Sequence, residues 1–261
     1  MAELVSVRTE GPVRILTLTN APANCYSYDM MRELDAAILD ARMDENVHVI
    51  VLTGEGEKFF CAGADIGMLG DVTSTFKYSF CLHANETLNR LEQTPKLTIA
   101  ALNGHTVGGG LEVAMACDLR VARQGGGKIG LPEVHLGVLP GTGGTQRLLR
   151  LVGKSKAMEW LVSGKMTTFE EARDVGLVHE VWESEGFSDR VLEYAKSYAP
   201  PARASKAVGL IKRATQSGAE CGFHEGLALE RELQQQLFIS GDAKEGIAAH
   251  NEKRPPVFRG E

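Results

Sequence analysis

What this chain lacks narrows the field first. Its 261 residues hold five cysteines (Cys25, Cys61, Cys81, Cys117 and Cys221), widely spaced and with no CxxC pair. An odd, scattered set argues against a disulfide scaffold and against a thiolate zinc site. Aromatic residues make up 6% of the chain, and the two tryptophans, Trp160 and Trp182, read as core or interface anchors. Positive charge is not in excess: 28 Lys plus Arg face 34 Asp plus Glu, a formal net charge of −6. A general nucleic-acid binder is disfavoured, which leaves room only for a local basic patch. The longest uncharged run, 97–111, contains Asn103, His105 and four glycines, too short and too polar to span a bilayer. Residues 1–11 carry Glu3 and no basic leader, so no secretory signal is expected, and Asn85-Glu86-Thr87 is read as a chance match to a glycosylation site. The expected location is cytoplasmic. Also missing are GxSxG, GxxxxGK[ST], HExxH and a GxGxxG after a strand. Common hydrolase, nucleotide and zinc chemistries lose their support.

What is present is a full core. Hydrophobic residues are 43% and charged residues 24% of the chain, which excludes global disorder. Alternating runs at 4–8 and 13–19, separated by Glu10-Gly11-Pro12, predict a hairpin. Met30, Leu34, Ala37, Ile38 and Ala41 share one stripe of a helix predicted over 29–44, and 47–52 reads as a buried strand. The order repeats: helix 75–92, Pro95 as breaker, strand 97–102, glycine-rich turn, helix 109–117, strand 119–122. An α/β fold with crossover connections follows. From Thr142 the chain is expected to be mostly helical, over 146–152, 155–163, 168–174 and 187–198. After Pro200-Pro201 come helices over 202–215, 223–239 and 243–253. The expected division is a core over 1–199 and a helical region over 200–261. That end of the chain admits two readings, an oligomerisation arm or a cap folded back on its own core.

Three glycine-bearing turns are the candidate sites. In Phe59-Phe60-Cys61-Ala62-Gly63-Ala64-Asp65-Ile66, small residues allow close approach to the backbone, and a helix beginning near Asp65 would leave amides free for an anionic oxygen. The alternative is a tight turn packed on a core helix. In Asn103–Val113, the three consecutive glycines Gly108, Gly109 and Gly110 fit a bare helix entrance better than a helix interior. Glu112 falls in the first turn of that helix, among apolar residues, with little polar company expected for its carboxylate. It either complements the helix dipole or does chemistry. In Gly130–Arg147, Glu133 stands among apolar neighbours before another glycine-rich entrance, as a solvated loop residue or as the second member of an acid/base pair. Two carboxylates beside donor turns suit acid/base work if they converge in space. Cys61 reads as a buried thiol, and His105, His135 and His224 as packed or solvated residues. No metal is expected. Arg147 has an acidic group or a phosphate as its candidate partner.

These segments resemble a known family. FFCAGADI, ALNGHTVGGGLEVAMACDLRVA and IGLPEVHLGVLPGTGGTQRL, followed in order by KSKAMEWLVSGKMTTFEEARDVGLVHEV and AHNEKRPPVFRG, are similar to the motifs of the enoyl-CoA hydratase/isomerase (crotonase) family. The resemblance implies repeated ββα units followed by C-terminal helices that build a homotrimer or homohexamer. It implies an acyl-coenzyme A substrate of the fatty-acid β-oxidation type and no separate cofactor, coenzyme A being part of the substrate. The two oxyanion donors fall on the amides of Ala64 and Gly109. The two hydratase carboxylates fall on Glu112, as the base that activates water, and on Glu133, as the acid serving the α-carbon. Ala62, Ala64, Asp65, Ile66 and Gly67 would line the coenzyme, Gly141 would offer an N–H to the water, and Lys253 would reach a neighbouring subunit's ligand. The implied activity is hydration of a 2-enoyl-CoA. The alternatives are an isomerase or a hydratase of branched or cyclic enoyl-CoA, and, further off, a non-catalytic RNA-binding member. The sequence departs from the family at Gly67, where a lysine is common, at His250, where an aromatic residue is frequent, and at Asn24-Cys25-Tyr26, in place of an Asn-Ala-Leu type of run.

Overall fold

In the computed structural model, which describes residues 3–261 apart from the side chains of Ile66 and Leu69, the chain opens as its alternation predicts. Strands β1 (Val5–Glu10) and β2 (Val13–Leu18) pair antiparallel about a turn at Gly11, whose φ of 61° favours glycine. Helix α1 (Tyr28–Met43) starts at Ser27, whose hydroxyl accepts from the Met30 amide, and it buries the expected stripe of Met30, Leu34, Ala37, Ile38 and Ala41. Then follow β3 (Val49–Gly54), β4 (Phe59–Cys61), α2 (Ile66–Asp71), α3 (Ser74–Gln93), β5 (Leu97–Leu102), β6 (His105–Val107), α4 (Gly109–Met115), β7 (Leu119–Arg123) and β8 (Lys128–Gly130). A single 3-10 turn spans Glu133–Leu136. It leads to α5 (Gly144–Val152), α6 (Lys154–Ser163), β9 (Met166–Thr168), α7 (Phe169–Asp174), β10 (Glu180–Trp182) and α8 (Phe187–Lys196).

Two sheets result. The larger has the order β1-β2-β3-β5-β7-β10 and is parallel except for the first hairpin. The smaller has the order β4-β6-β8-β9, with only the last pair antiparallel. The first pair, β1 and β2, stays in the larger sheet, and the next three pairs, β3/β4, β5/β6 and β7/β8, each give one strand to each sheet before a helical segment, the ββα unit the resemblance implies. Residues of the large sheet alternate between two cores. Ile50, Leu52, Ala100 and Leu102 meet helices α1, α3 and α4, while Val49, Val51, Ile99, Ala101 and Val121 meet Phe187, Val191 and Ala195 of α8. The period of two on both faces is what a sheet covered by helices on each side requires.

The second sheet is where the sequence reading fell short. Strands β4, β6, β8 and β9 are each three residues long, below the length at which alternation can register. For the same reason the expectation of a mostly helical chain after Thr142 missed β9 and β10. Both tryptophans are buried, as anchors should be.

The chain ends in α9 (Ser205–Glu220), α10 (Phe223–Phe238) and α11 (Gly241–Glu252). Helix α9 folds back onto the core. Its Lys212 Nζ lies 2.8 Å from Asp118 Oδ2 and donates to the Lys96 carbonyl at 3.0 Å. Helix α10 buries only Leu233 among its described residues, and Phe223, Phe238, Ile239 and Ile247 stand exposed along this end of the chain.

Candidate active site

Two bare stretches of backbone are pressed together at the entrance to α4. Tyr26 pins the first: its N–H donates to the Gly63 carbonyl at 2.9 Å, and its own carbonyl accepts from the Asp65 N–H at 3.0 Å. Ala64 sits between these two bonds, in a bridge with Tyr26. A β-carbon on Gly63 would stand 3.1 Å from Gly109 N, and one on Gly110 would stand 2.7 Å from the Cys61 carbonyl carbon. Glycine is required on both sides for this contact. Gly108, at φ 55° and ψ −130°, precedes the helix without any side-chain cap. Among the described residues, neither the Ala64 N–H nor the Gly109 N–H has an acceptor, and both belong to the same cradle.

Glu112, one turn into α4, is 2% exposed. The expectation that its carboxylate has little company is corrected by the structure. Oε1 accepts from the Thr142 N–H at 2.8 Å and from the Gly144 N–H at 2.7 Å, and Oε2 accepts from the Thr142 hydroxyl. Burial pushes this carboxyl up from its ordinary value while those three donors and Arg147 pull it down. The donors come from the entrance of α5, where Gly143 adopts φ 107° and leaves the first amides of the helix free to turn inward.

Glu133 begins the 3-10 turn and lies against the entrance to α4, since a β-carbon on Gly108 would stand 2.9 Å from its Oε1. Its Oε2 is buried with no hydrogen-bond partner among the described residues. Burial first, and after it the charge of Glu112, push its pKa up to about 7 against the opposing pull of its own backbone N–H and of Lys77. The two carboxyls lie close enough to feel each other's charge and sit in opposite settings: Glu112 is wrapped in donors, whereas Oε2 of Glu133 has none among the described residues. Paired groups whose surroundings differ in this way divide naturally into a base and an acid.

Other expected residues lie as follows. Ala62 donates its N–H to the Ala23 carbonyl at 3.0 Å, and Asp65 caps α2 by accepting from the Met68 N–H at 3.2 Å. Gly67 is exposed on α2, and the side chain of Ile66 lies outside the described residues. The Gly141 carbonyl accepts from Asn85 Nδ2 at 3.4 Å. Lys253 closes α11 at φ 57°, exposed, as is His250, and no described hydrogen bond joins either to the two carboxyls. Arg147 finds the acidic partner: it pairs with Glu92 at 2.9 Å and donates to the Thr142 carbonyl at 3.2 Å. Burial holds the Cys61 thiol protonated, its pKa pushed up to about 12, and His105 Nδ1 accepts from the Lys128 N–H at 3.0 Å.

The sequence reading missed Thr142 and the role of Tyr26. The Tyr26 hydroxyl lies 3.2 Å from Thr142 Oγ1, and its ring fills the space a β-carbon on Gly109 would need. The available signals were a hydroxyl residue inside the glycine-rich entrance at 141–144 and the departure from the usual run at Tyr26.

Comparison with known proteins identifies the family. The enoyl-CoA hydratase/isomerase family model matches residues 8–261. The chain belongs to that family. Among members of the enoyl-CoA hydratase/isomerase family, the short-chain-enoyl-CoA hydratase of Clostridium acetobutylicum is 37% identical over 251 residues, covering 96% of this chain and 95% of that protein. A probable enoyl-CoA hydratase of Bacillus subtilis is 38% identical, covering 98% and 99% of the two chains. The crystal structure of an enoyl-CoA hydratase from Geobacillus kaustophilus matches with a TM-score of 0.97 at 44% identity, covering 100% of this chain and 98% of that one.

Proposed function

We propose that this chain catalyses the reversible addition of water across the α,β-double bond of a 2-enoyl-CoA thioester, giving the 3-hydroxyacyl-CoA. The observation that carries this reading is the pair of neighbouring carboxyls, Glu112 surrounded by donors and Glu133 with its buried Oε2 unpartnered among the described residues, beside the amides of Ala64 and Gly109. As the water oxygen bonds to the β-carbon, the double-bond electrons move toward the thioester and charge grows on its oxygen. The amides of Ala64 and Gly109 receive that oxygen, and each such donor is worth about 2.7–4 kcal/mol of barrier. Glu112 takes one proton from the water, and Glu133, protonated near neutrality because of its raised pKa, gives its proton to the α-carbon. Glu112 is then left holding the proton taken from water and Glu133 is left ionised, and proton exchange with solvent resets the pair.

No cofactor beyond the coenzyme A of the substrate takes part in this scheme. Ala62, Ala64, Asp65, Ile66 and Gly67 form the coenzyme-facing segment, Gly109 and Gly141 face the reacting atoms, and Lys253 serves a neighbouring protomer's ligand. The assembly in this reading is a homotrimer or homohexamer, supported by the exposed apolar residues of α10 and α11. The location is the cytoplasm, which suits five free cysteines. The test is hydration of crotonyl-CoA, followed by loss of the conjugated-enoyl absorbance, in the wild-type chain and in Glu112→Gln and Glu133→Gln separately. Each variant is expected to lose at least about a hundredfold in kcat. Near-normal turnover by either one overturns the assignment.

A further inference from the structure

We propose that Tyr26 is a positioning residue for Glu112, acting through the Thr142 hydroxyl so that the proton-accepting oxygen of the base stays hydrogen-bonded and correctly aimed. The inference deepens the hydratase reading and rests on Glu112 being the base.

Oε1 of Glu112 accepts two backbone N–H groups, from Thr142 at 2.8 Å and from Gly144 at 2.7 Å. Backbone amides only donate, so both lone-pair directions of Oε1 are occupied at every pH. A proton taken from water must therefore arrive at Oε2. One side of Oε2 is met by the Thr142 hydroxyl, which leaves the other side for the water. Thr142 has a single hydroxyl hydrogen, and its rotation decides whether Oε2 receives a donor or faces a lone pair.

Tyr26 settles that rotation. Its hydroxyl is 3.2 Å from Thr142 Oγ1, and either oxygen could donate. When Tyr26 donates, the Thr142 hydrogen is directed to Oε2, and the chain from Tyr26 to Thr142 to Glu112 runs one way, each bond strengthening the next. The phenol is buried and its pKa stands well above the ordinary value, chiefly through burial, so its O–H is retained across the working pH range. The ring cannot drift from this task. The Tyr26 main chain is tied to Gly63 and Asp65 on either side of Ala64, and a β-carbon on Gly109 would come within 2.7 Å of its ring carbons. One residue thus braces both oxyanion segments with its backbone and ring and orients the base with its hydroxyl.

A donor to the ionised carboxylate stabilises that form and lowers its pKa. Removing the phenolic oxygen therefore raises the Glu112 pKa, and the acidic limb of kcat against pH moves to higher pH. Tyr26→Phe should lower kcat for crotonyl-CoA roughly tenfold below neutrality, move that limb up by about half a unit to one unit, and leave KM within about twofold. Thr142→Ala should move the limb further, Thr142→Ser should restore it, and Tyr26→Phe added to Thr142→Ala should change nothing more, because the two hydroxyls act as one chain. An unmoved limb in Tyr26→Phe, additive effects in the double variant, or a change confined to KM overturns the proposal. Should Tyr26→Phe fail to fold, 3-fluorotyrosine at position 26, which keeps the oxygen and donates more strongly, must move the limb to lower pH. An unmoved limb there overturns the proposal equally. Failure of the hydratase reading is distinguishable, because it shows as turnover retained in Glu112→Gln.

Discussion

Gly108 and Glu133 meet so closely that a β-carbon at Gly108 would stand 2.9 Å from Glu133 Oε1. The glycine just before α4 is therefore part of the wall that places the Glu133 carboxyl, the acid of the proposed scheme. Gly108→Ala adds that carbon at φ 55° and ψ −130°, a backbone region that costs about 1–3 kcal/mol for an alanine. The carboxyl must also retreat. The expected outcome is a fall in kcat of at least about tenfold together with a lower Tm, read by crotonyl-CoA hydration and thermal melting. Unchanged kcat would mean that Glu133 needs no such wall.

The pH dependence of the reaction follows from Glu133. Its pKa is pushed to about 7, and in the proposed scheme it must be protonated to serve the α-carbon. kcat/KM should therefore decline as pH rises above about 7, with the other limb set by Glu112, and the two apparent values belong to the coupled pair. Glu133→Asp, which keeps a carboxyl but draws it back, should retain a bell-shaped profile at lower height. Glu133→Gln should lose the alkaline limb from whatever activity remains.

The same shift affects stability, with a definite sign. The folded-state pKa of Glu133 is raised from 4.5 to about 7, so the native chain holds this proton more tightly than the unfolded one between those values. Stability falls as pH climbs through that window and levels off above it. At 1.36 kcal/mol per unit the whole shift would be about 3 kcal/mol, and partial solvent screening of this half-buried group reduces it to about 1–2 kcal/mol. Glu133→Gln should accordingly be more stable than wild type at pH 8 and should lose that advantage at pH 4. Urea unfolding at the two pH values measures it.

Lys212 and Asp118 lock α9 to the core. Their side chains are 4% and 12% exposed, and Asp118 also accepts from the Thr98 amide and hydroxyl. Lys212→Met leaves a buried carboxylate short of its cation and should destabilise the chain by about 3–5 kcal/mol, whereas Lys212→Met with Asp118→Asn should cost less. Chemical denaturation of the two variants tests the ordering.

The exposed apolar residues at the end of the chain predict assembly. Phe238 is 63% and Ile247 is 50% exposed in the single chain. Light scattering should give a trimer or a hexamer for the wild type, and Phe238→Lys with Ile247→Lys should shift it toward monomer. A wild-type monomer would remove the oligomer from the reading.

By itself the sequence determined whatever depends on neighbours along the chain. The stripe from Met30 to Ala41, the hairpin about Gly11 and the bare helix entrance at Gly108–Gly110 are all set by local spacing and backbone freedom, so they were legible as letters. The motifs placed Glu112 and Glu133, but not what surrounds them. Only the tertiary structure decided that Thr142 and Gly144 would turn their amides onto Glu112, that Oε2 of Glu133 would be buried with no partner among the described residues, and that Tyr26 would reach Thr142. It also decided the second sheet, whose three-residue strands carry too little pattern and exist because distant segments pair with them. A hydrogen-bond donor and a desolvated carboxyl are properties of neighbours in space, and those neighbours come together only when the crossovers close.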